Sequence, residues 1–189
     1  MQITLNMAIE AGPPKDASSD EWFTPRYIVD WLPPIALDPC ANRRSHVNAE
    51  QNAYFEDGQD GLAVDWQEIV YSVGVIFCNP PYSNCSAWVE KCATEAARGS
   101  WPVVALVPAY AGDAYWHRAV WGKASWVAFH RGRVRFDTGH GPAKDAASFT
   151  SALVCWGDAD LSVWAHVKAR AGNRLHGVRA DKELEVPNV

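Results

Sequence analysis

The run Gly74-Val75-Ile76-Phe77-Cys78 enters Asn79-Pro80-Pro81-Tyr82 with no turn former between them. Four consecutive apolar side chains read as a strand covered on both faces. Two prolines in succession fix φ and remove two amide donors, so the strand must end at Asn79. Ser86 to Arg98 then alternates at helical period, with Trp88, Val89, Cys92 and Ala96 on one side. Ser83 or Ser86 supplies a cap and Gly99 a stop. Val103-Val104-Ala105-Leu106-Val107, ended by Pro108, is the next buried strand. This order predicts an α/β fold with a mostly parallel central sheet flanked by helices. In such sheets ligands bind beyond the carboxyl ends of the strands.

The rest of the chain is read around that unit. Residues 1–19 carry Gly12-Pro13-Pro14 and Ser18-Ser19 with little periodicity, a flexible lead-in. Thr24 before Pro25 starts a helix that turns Tyr27, Ile28, Trp31 and Leu32 inward and stops at Pro33-Pro34. Ile35-Ala36-Leu37 is a short strand ending at Asp38-Pro39, and no second strand is evident between residues 43 and 57. Asp113 opens a helix to Trp121. Ser125 to His130 and Arg133 to Phe136 read as strands joined near Gly132, and Ala152 to Trp156 as another. Residues 160–171 are helical and 172–189 form a polar tail, so the domain proper spans 20–171. Asp38 and Asn79 each follow a strand end, which puts them on one rim of the sheet.

Composition narrows the function classes. With 48% hydrophobic residues in 189, the chain has material for a full core and is not disordered. A net charge of −5 excludes a basic coat for nucleic acid. The apolar runs are too short to span a bilayer, and the N-terminus lacks the positive start of a secretory signal. Five cysteines, an odd number without CxxC spacing, argue against a disulfide framework or structural zinc. The six histidines show no metal spacing either. Reduced thiols fit a cytoplasmic protein. Ten tryptophans ask for either a large core or flat ligands to stack on.

Asn79-Pro80-Pro81-Tyr82 offers both flat rings and acceptors. The doubled proline leaves carbonyl acceptors without competing donors, and the Asn79 side-chain oxygen adds one more. A planar amino group supplies two donors, matching Asn79 and the Pro80 carbonyl. Tyr82 offers a face for the ring that bears the amine. An aromatic amine is a poor nucleophile because its lone pair is delocalised. Two acceptors outside the ring plane favour a pyramidal nitrogen, so the interaction strengthens toward the transition state. Neither a metal nor a strongly shifted general base is required.

A strand followed by these four residues resembles the catalytic motif of amino-group methyltransferases that use S-adenosylmethionine. A wider series resembles phage-type DNA N6-adenine methyltransferases of the Dam kind. It comprises Asp20-Glu21-Trp22-Phe23-Thr24-Pro25, Leu37-Asp38-Pro39-Cys40-Ala41-Asn42, Asp60-Gly61-Leu62 with Asp65-Trp66, Phe77 to Tyr82, and Arg131-Gly132-Arg133-Val134-Arg135-Phe136. The resemblance implies a Rossmann-like, S-adenosylmethionine-dependent fold and methyl transfer to adenine N6 in double-stranded DNA. It implies a cytoplasmic location, in a bacterial host if the chain is phage-encoded. It places Trp22, Thr24, Pro25, Asp38 and Pro39 beside the cofactor. Asp60 or Asp65 would accept from the cofactor's adenine amine, with Leu62 or Trp66 packing on its ring. The series departs from the common pattern in having no glycine-rich turn after the first strand and no assigned acid for the ribose; Glu50 is available but unplaced. Other readings stay open: methylation of cytosine N4, an RNA base or a protein glutamine, or a DNA-binding module without turnover.

Arg131, Arg133 and Arg135 alternate, so in an extended segment they share a face that suits phosphate oxygens. Val134 and Phe136 then point to the core. His117, Arg118 and Lys123 extend a basic rim, and 139–144 reads as a mobile loop able to reach a groove or fold over the site. The tail cations, Arg174 among them, read as solvated surface.

Overall fold

A computed structural model of the chain describes residues 22–54 and 58–180, Tyr54 in its backbone alone. The lead-in 1–19 and residues 181–189 lie outside the described residues. The elements are α1 (Arg26–Val29), β1 (Ile35–Ala41), β2 (Ala49–Tyr54), α2 (Trp66–Ile69), β3 (Val75–Cys78), α3 (Cys85–Arg98), β4 (Val103–Pro108), α4 (Ala114–Ala119), β5 (Trp126–His130), β6 (Ser151–Trp156), α5 (Ser162–Ala171) and β7 (Leu175–Arg179).

The strands form one seven-stranded sheet in the order β2-β1-β3-β4-β6-β5-β7. Strands β2, β1, β3 and β4 are parallel neighbours. The pairs β4·β6, β6·β5 and β5·β7 are antiparallel. The sheet is therefore mixed, where the sequence pattern predicts a mostly parallel one. The cause lies in the connections. A parallel return needs a crossover, usually helical. Helix α4 provides one between β4 and β5, whereas 131–150 contains none, so β6 turns back and inserts between them.

Alternation along the strands splits the core into two layers. Ile76, Cys78, Val103, Ala105, Val107, Val127 and Val154 meet Trp66, Trp88, Val89, Cys92 and Trp116 of α2, α3 and α4. Val75, Phe77, Val104, Leu106, Trp126 and Leu153 meet Ile28, Trp31, Val163 and Val167 from the side of α1 and α5. Burial on both faces explains why β3 and β4 are apolar throughout. Most indoles brace this core, as Trp126 does by donating to the buried Asp158 at 2.7 Å.

Several boundaries differ from the expected ones. β1 runs through Asp38-Pro39-Cys40 to Ala41, with its pairing to β2 shifting between Asp38 and Ala41. Pro39 lacks the amide a regular ladder would need, and a bulge accommodates it. β2 exists although no strand is evident there from sequence. It is polar because it forms the sheet edge. Residues 175–179 are an edge strand rather than tail; only Leu175 of the five is buried. Arg133 to Phe136 is not a ladder strand. Asn84, not Ser83 or Ser86, stands at the N-cap of α3.

Candidate active site

Asn79 takes its position from β3, whose four residues are each at most 1% exposed. Burying such side chains contributes about 1.5–3 kcal/mol apiece, so the strand end is fixed before Asn79 makes any contact. The Asn79 side-chain nitrogen donates to the Trp22 carbonyl at 2.8 Å. A carbonyl can only accept, so the amide has one orientation, with Oδ1 turned toward Tyr82. The Tyr82 hydroxyl donates to that oxygen over 3.4 Å, a long bond.

Tyr82 sits in an aromatic enclosure. Its ring is met edge to face by Trp22, Phe136 and Phe149, with centroids 6.3, 5.9 and 5.3 Å away. Burial pushes its hydroxyl well above the usual phenol range. Phe149 in turn meets the exposed Tyr110 at 5.9 Å. Phe136 is 1% exposed and stacks on Trp22, so it packs as core. Pro80 is buried and Pro81 half-buried at the edge of the adjoining cleft.

That cleft has a volume of about 620 Å³. Trp22, Thr24, Asp38, Pro39, Asp60 and Asn79 all line it. Pro25 and Asp65 do not. Pro25 precedes α1 as its N-cap. Asp65 caps α2, accepting from the Gln67 amide at 3.1 Å, and takes the Arg98 guanidinium at 2.5 Å. Leu62 lines the cleft, while Trp66 is fully buried and donates to the Gly61 carbonyl. Trp88, Arg44, Ser45 and Asn84 also reach the wall and carried no signal in the sequence. A second hollow, about 680 Å³, lies against α3 and α4 and contains none of the motif residues. There Arg118 is paired with Glu90 at 2.6 Å, which removes it from a basic rim.

Two polar groups on the cleft are incompletely served. The Thr24 hydroxyl is buried and has no hydrogen-bond partner among the described residues. Asp38 is 5% exposed, and its carboxyl accepts from the Cys40 amide at 3.1 Å. Burial pushes its pKa up to about 7, more than that bond lowers it. Asp60 holds the turn by accepting from the Leu62 amide at 2.9 Å. No glycine follows β1, but Gly61 packs closely against Pro39 of that strand. A Cβ on Gly61 would stand 1.8 Å from the Pro39 carbonyl oxygen, so only glycine lets the two walls meet. Cys40 ties β1 to the motif, its thiol donating to the Asn79 carbonyl at 3.3 Å.

Three segments meet beside Phe23 at the edge of the cleft. Phe23 and Asp137 exchange two backbone hydrogen bonds, each 2.9 Å. The Arg44 guanidinium lies 5.2 Å from the centre of the Phe23 ring. Gly139, at φ +79°, lies against the same ring; a Cβ there would be 2.9 Å from it. The Asp137 carboxylate accepts from the Gly139 amide at 2.7 Å and pairs with His46 at 3.0 Å. Partial desolvation raises the Asp137 carboxyl, but these two partners outweigh it and hold its pKa below the usual value. Gly139, the first residue of the 139–144 segment, thus packs against Phe23, which lines the cleft.

The arginines alternate as the sequence implies. Arg131, Arg133 and Arg135 are exposed, while Val134 and Phe136 are buried. They follow β5, which runs in the same direction as β3, so they lie on the Asn79 rim. Among the described residues no group of three or more His, Cys, Asp or Glu is placed to hold a metal, and the five cysteines are free. No described helix is long and apolar enough to cross a membrane.

Residues 13–170 match the model of a family described as DNA N-6-adenine-methyltransferase (Dam). No curated protein matches the chain.

Proposed function

Because the chain belongs to the DNA N-6-adenine-methyltransferase (Dam) family, and so methylates adenine N6 in DNA, we propose that Asn79 holds the amine and the adjoining cleft holds S-adenosylmethionine. The orientation of Asn79 supports this most directly. With its nitrogen committed to Trp22, its oxygen is the end presented to a donor. The long bond from Tyr82 is readily exchanged for one from an amine, and an amide oxygen has two lone pairs.

The amine of an extruded adenine donates to Asn79 Oδ1 and to the Pro80 carbonyl, while Tyr82 stacks on the base. Both acceptors bind a pyramidal nitrogen better than a planar one. They therefore lower the barrier rather than merely hold the substrate. The walls of Trp22, Phe136 and Phe149 keep Tyr82 in register.

The cleft residues fit the cofactor. Thr24 offers a buried hydroxyl in need of a partner, Asp38 and Asp60 offer carboxylates, and Leu62 and Trp88 offer apolar surface. When bound, S-adenosylmethionine supplies an electrophilic methyl group. Asp38 takes its ammonium, which favours the charged carboxylate. Asp60 accepts from its adenine amine, with Leu62 against the ring. The parallel strands β2, β1, β3 and β4 then form the cofactor half of a Rossmann-like fold. Arg131, Arg133 and Arg135 contact phosphates of double-stranded DNA.

Incubation with methyl-labelled cofactor and adenine-containing duplexes tests this reading. Label recovered as N6-methyladenine, and lost in Asn79→Ala while cofactor still binds, is expected. Cofactor binding without label in that product would overturn the assignment of Asn79.

A further inference from the structure

We propose that His46 and Asp137 are positioning residues that hold one strap, Trp22-Phe23, over the cofactor cleft and against Asn79 at once. The inference rests on the cofactor reading above and extends it to residues outside every motif in the sequence series. Three segments far apart in the chain meet at this point. His46 follows β1, Phe23 precedes α1, and Asp137 follows the arginine stripe.

The strap has two outputs. Phe23 lines the cleft, with its ring against the Arg44 guanidinium and Gly139. The carbonyl of the preceding residue, Trp22, receives the Asn79 amide at 2.8 Å. Adjacent residues therefore cover the cofactor and aim the catalytic oxygen. The strap is joined to the turn by the paired backbone bonds of Phe23 with Asp137, and the Phe23 ring packs against Gly139. What fixes Asp137 is its carboxylate, one oxygen on the Gly139 amide and the other on His46 at 3.0 Å. The carboxylate is 11% exposed and the imidazole 42%, so the pair is partly sheltered from solvent. His46 thus anchors the 137–139 turn to the segment that follows β1, and that turn holds the strap. The His46–Asp137 pair itself uses no side chain of the strap, so the residues that control it are found only in the folded chain.

The experiment compares wild type, His46→Ala and His46→Gln. The glutamine amide can still donate to Asp137, whereas alanine cannot. Cofactor release is followed by stopped-flow tryptophan fluorescence without DNA, for which Trp22 and Trp88 on the cleft provide a signal. Single-turnover methyl transfer is then measured at saturating cofactor. In His46→Ala, release should be about fivefold faster and transfer about fivefold slower, the scale of one side-chain hydrogen bond. His46→Gln should restore both toward wild type. Unchanged release in His46→Ala would overturn the latch. Faster release with wild-type transfer would overturn the coupling to Asn79. Wild-type protein that failed to bind the cofactor would overturn the underlying cofactor reading, and the latch with it.

Discussion

The Asn79 side-chain nitrogen rests on the Trp22 carbonyl, 57 residues earlier in the chain, and that contact alone orients the amide. Asn79→Ala removes the acceptor without disturbing β3, whose anchors are Val75 to Cys78. Methyl transfer should fall by at least about 10²–10³-fold, the usual loss for one transition-state hydrogen-bonding group. Cofactor affinity and thermal midpoint should stay near wild type. Single-turnover rates beside calorimetry check both.

Asp38 sets a dependence on pH. Its folded pKa, about 7, lies above the ordinary aspartate value of 3.8, so the folded state binds this proton more tightly than the unfolded chain. The stability it contributes is full below the unfolded pKa and is lost as pH rises through about 7. Asp38→Asn mimics the protonated acid. The variant should be more stable than wild type at pH 8, by an amount on the order of a few kcal/mol, and equal to it near pH 4. Denaturant titrations at the two pH values check this.

On the proposed assignment, the same carboxyl also sets the affinity for the cofactor. An ammonium prefers charged Asp38, so affinity in wild type should fall by up to about tenfold per pH unit below the folded pKa. Asp38→Asn should bind weakly at every pH. Calorimetry between pH 5.5 and 8, in buffers of different ionisation enthalpy, reads the coupled proton directly.

Asp60 and Asp65 look equivalent in sequence and separate in the fold. Asp60→Ala should weaken cofactor binding, since Asp60 lines the cleft. Asp65→Ala should leave binding intact and lower the thermal midpoint, since Asp65 caps α2 and holds Arg98. Equal losses of affinity in the two variants would contradict this assignment.

Gly61→Ala brings a Cβ to within 1.8 Å of a backbone oxygen that cannot swing aside. Overpacking of this kind costs about 1–3 kcal/mol or more, and here it would also open the cleft wall. Lower stability together with weaker cofactor binding is expected, measured by thermal unfolding with and without ligand.

Much of the site was readable before folding because its signals are local. Val75 to Tyr82 carries its strand, its stop and its acceptors in eight consecutive positions. The alternation of Arg131, Arg133 and Arg135 with Val134 and Phe136 likewise survives without a ladder. Edge strands were harder. Ala49–Tyr54 and Leu175–Arg179 each bury little, so neither needs the apolar pattern that marks β3 and β4. The reversal at β6 was hidden in a connection, since only the lack of a helix in 131–150 distinguishes it from a crossover. The latch was the least visible part. Its members are a histidine, an aspartate and a glycine from distant segments, and Asp137-Thr138-Gly139 reads locally as nothing more than a turn.

The place of β5 in the sheet bears on how the chain is made. Both of its neighbours, β6 and β7, come later in the sequence. A ribosome therefore releases Trp126–His130 with neither edge paired, and one partner, β7, does not follow until some 45 residues later. Until then an apolar strand with open hydrogen-bonding edges waits in the nascent chain, and a release of synthesis before Arg179 leaves one edge open for good. The same strand leads into the arginine stripe, so completing the far edge of the sheet also fixes the segment that presents Arg131, Arg133 and Arg135.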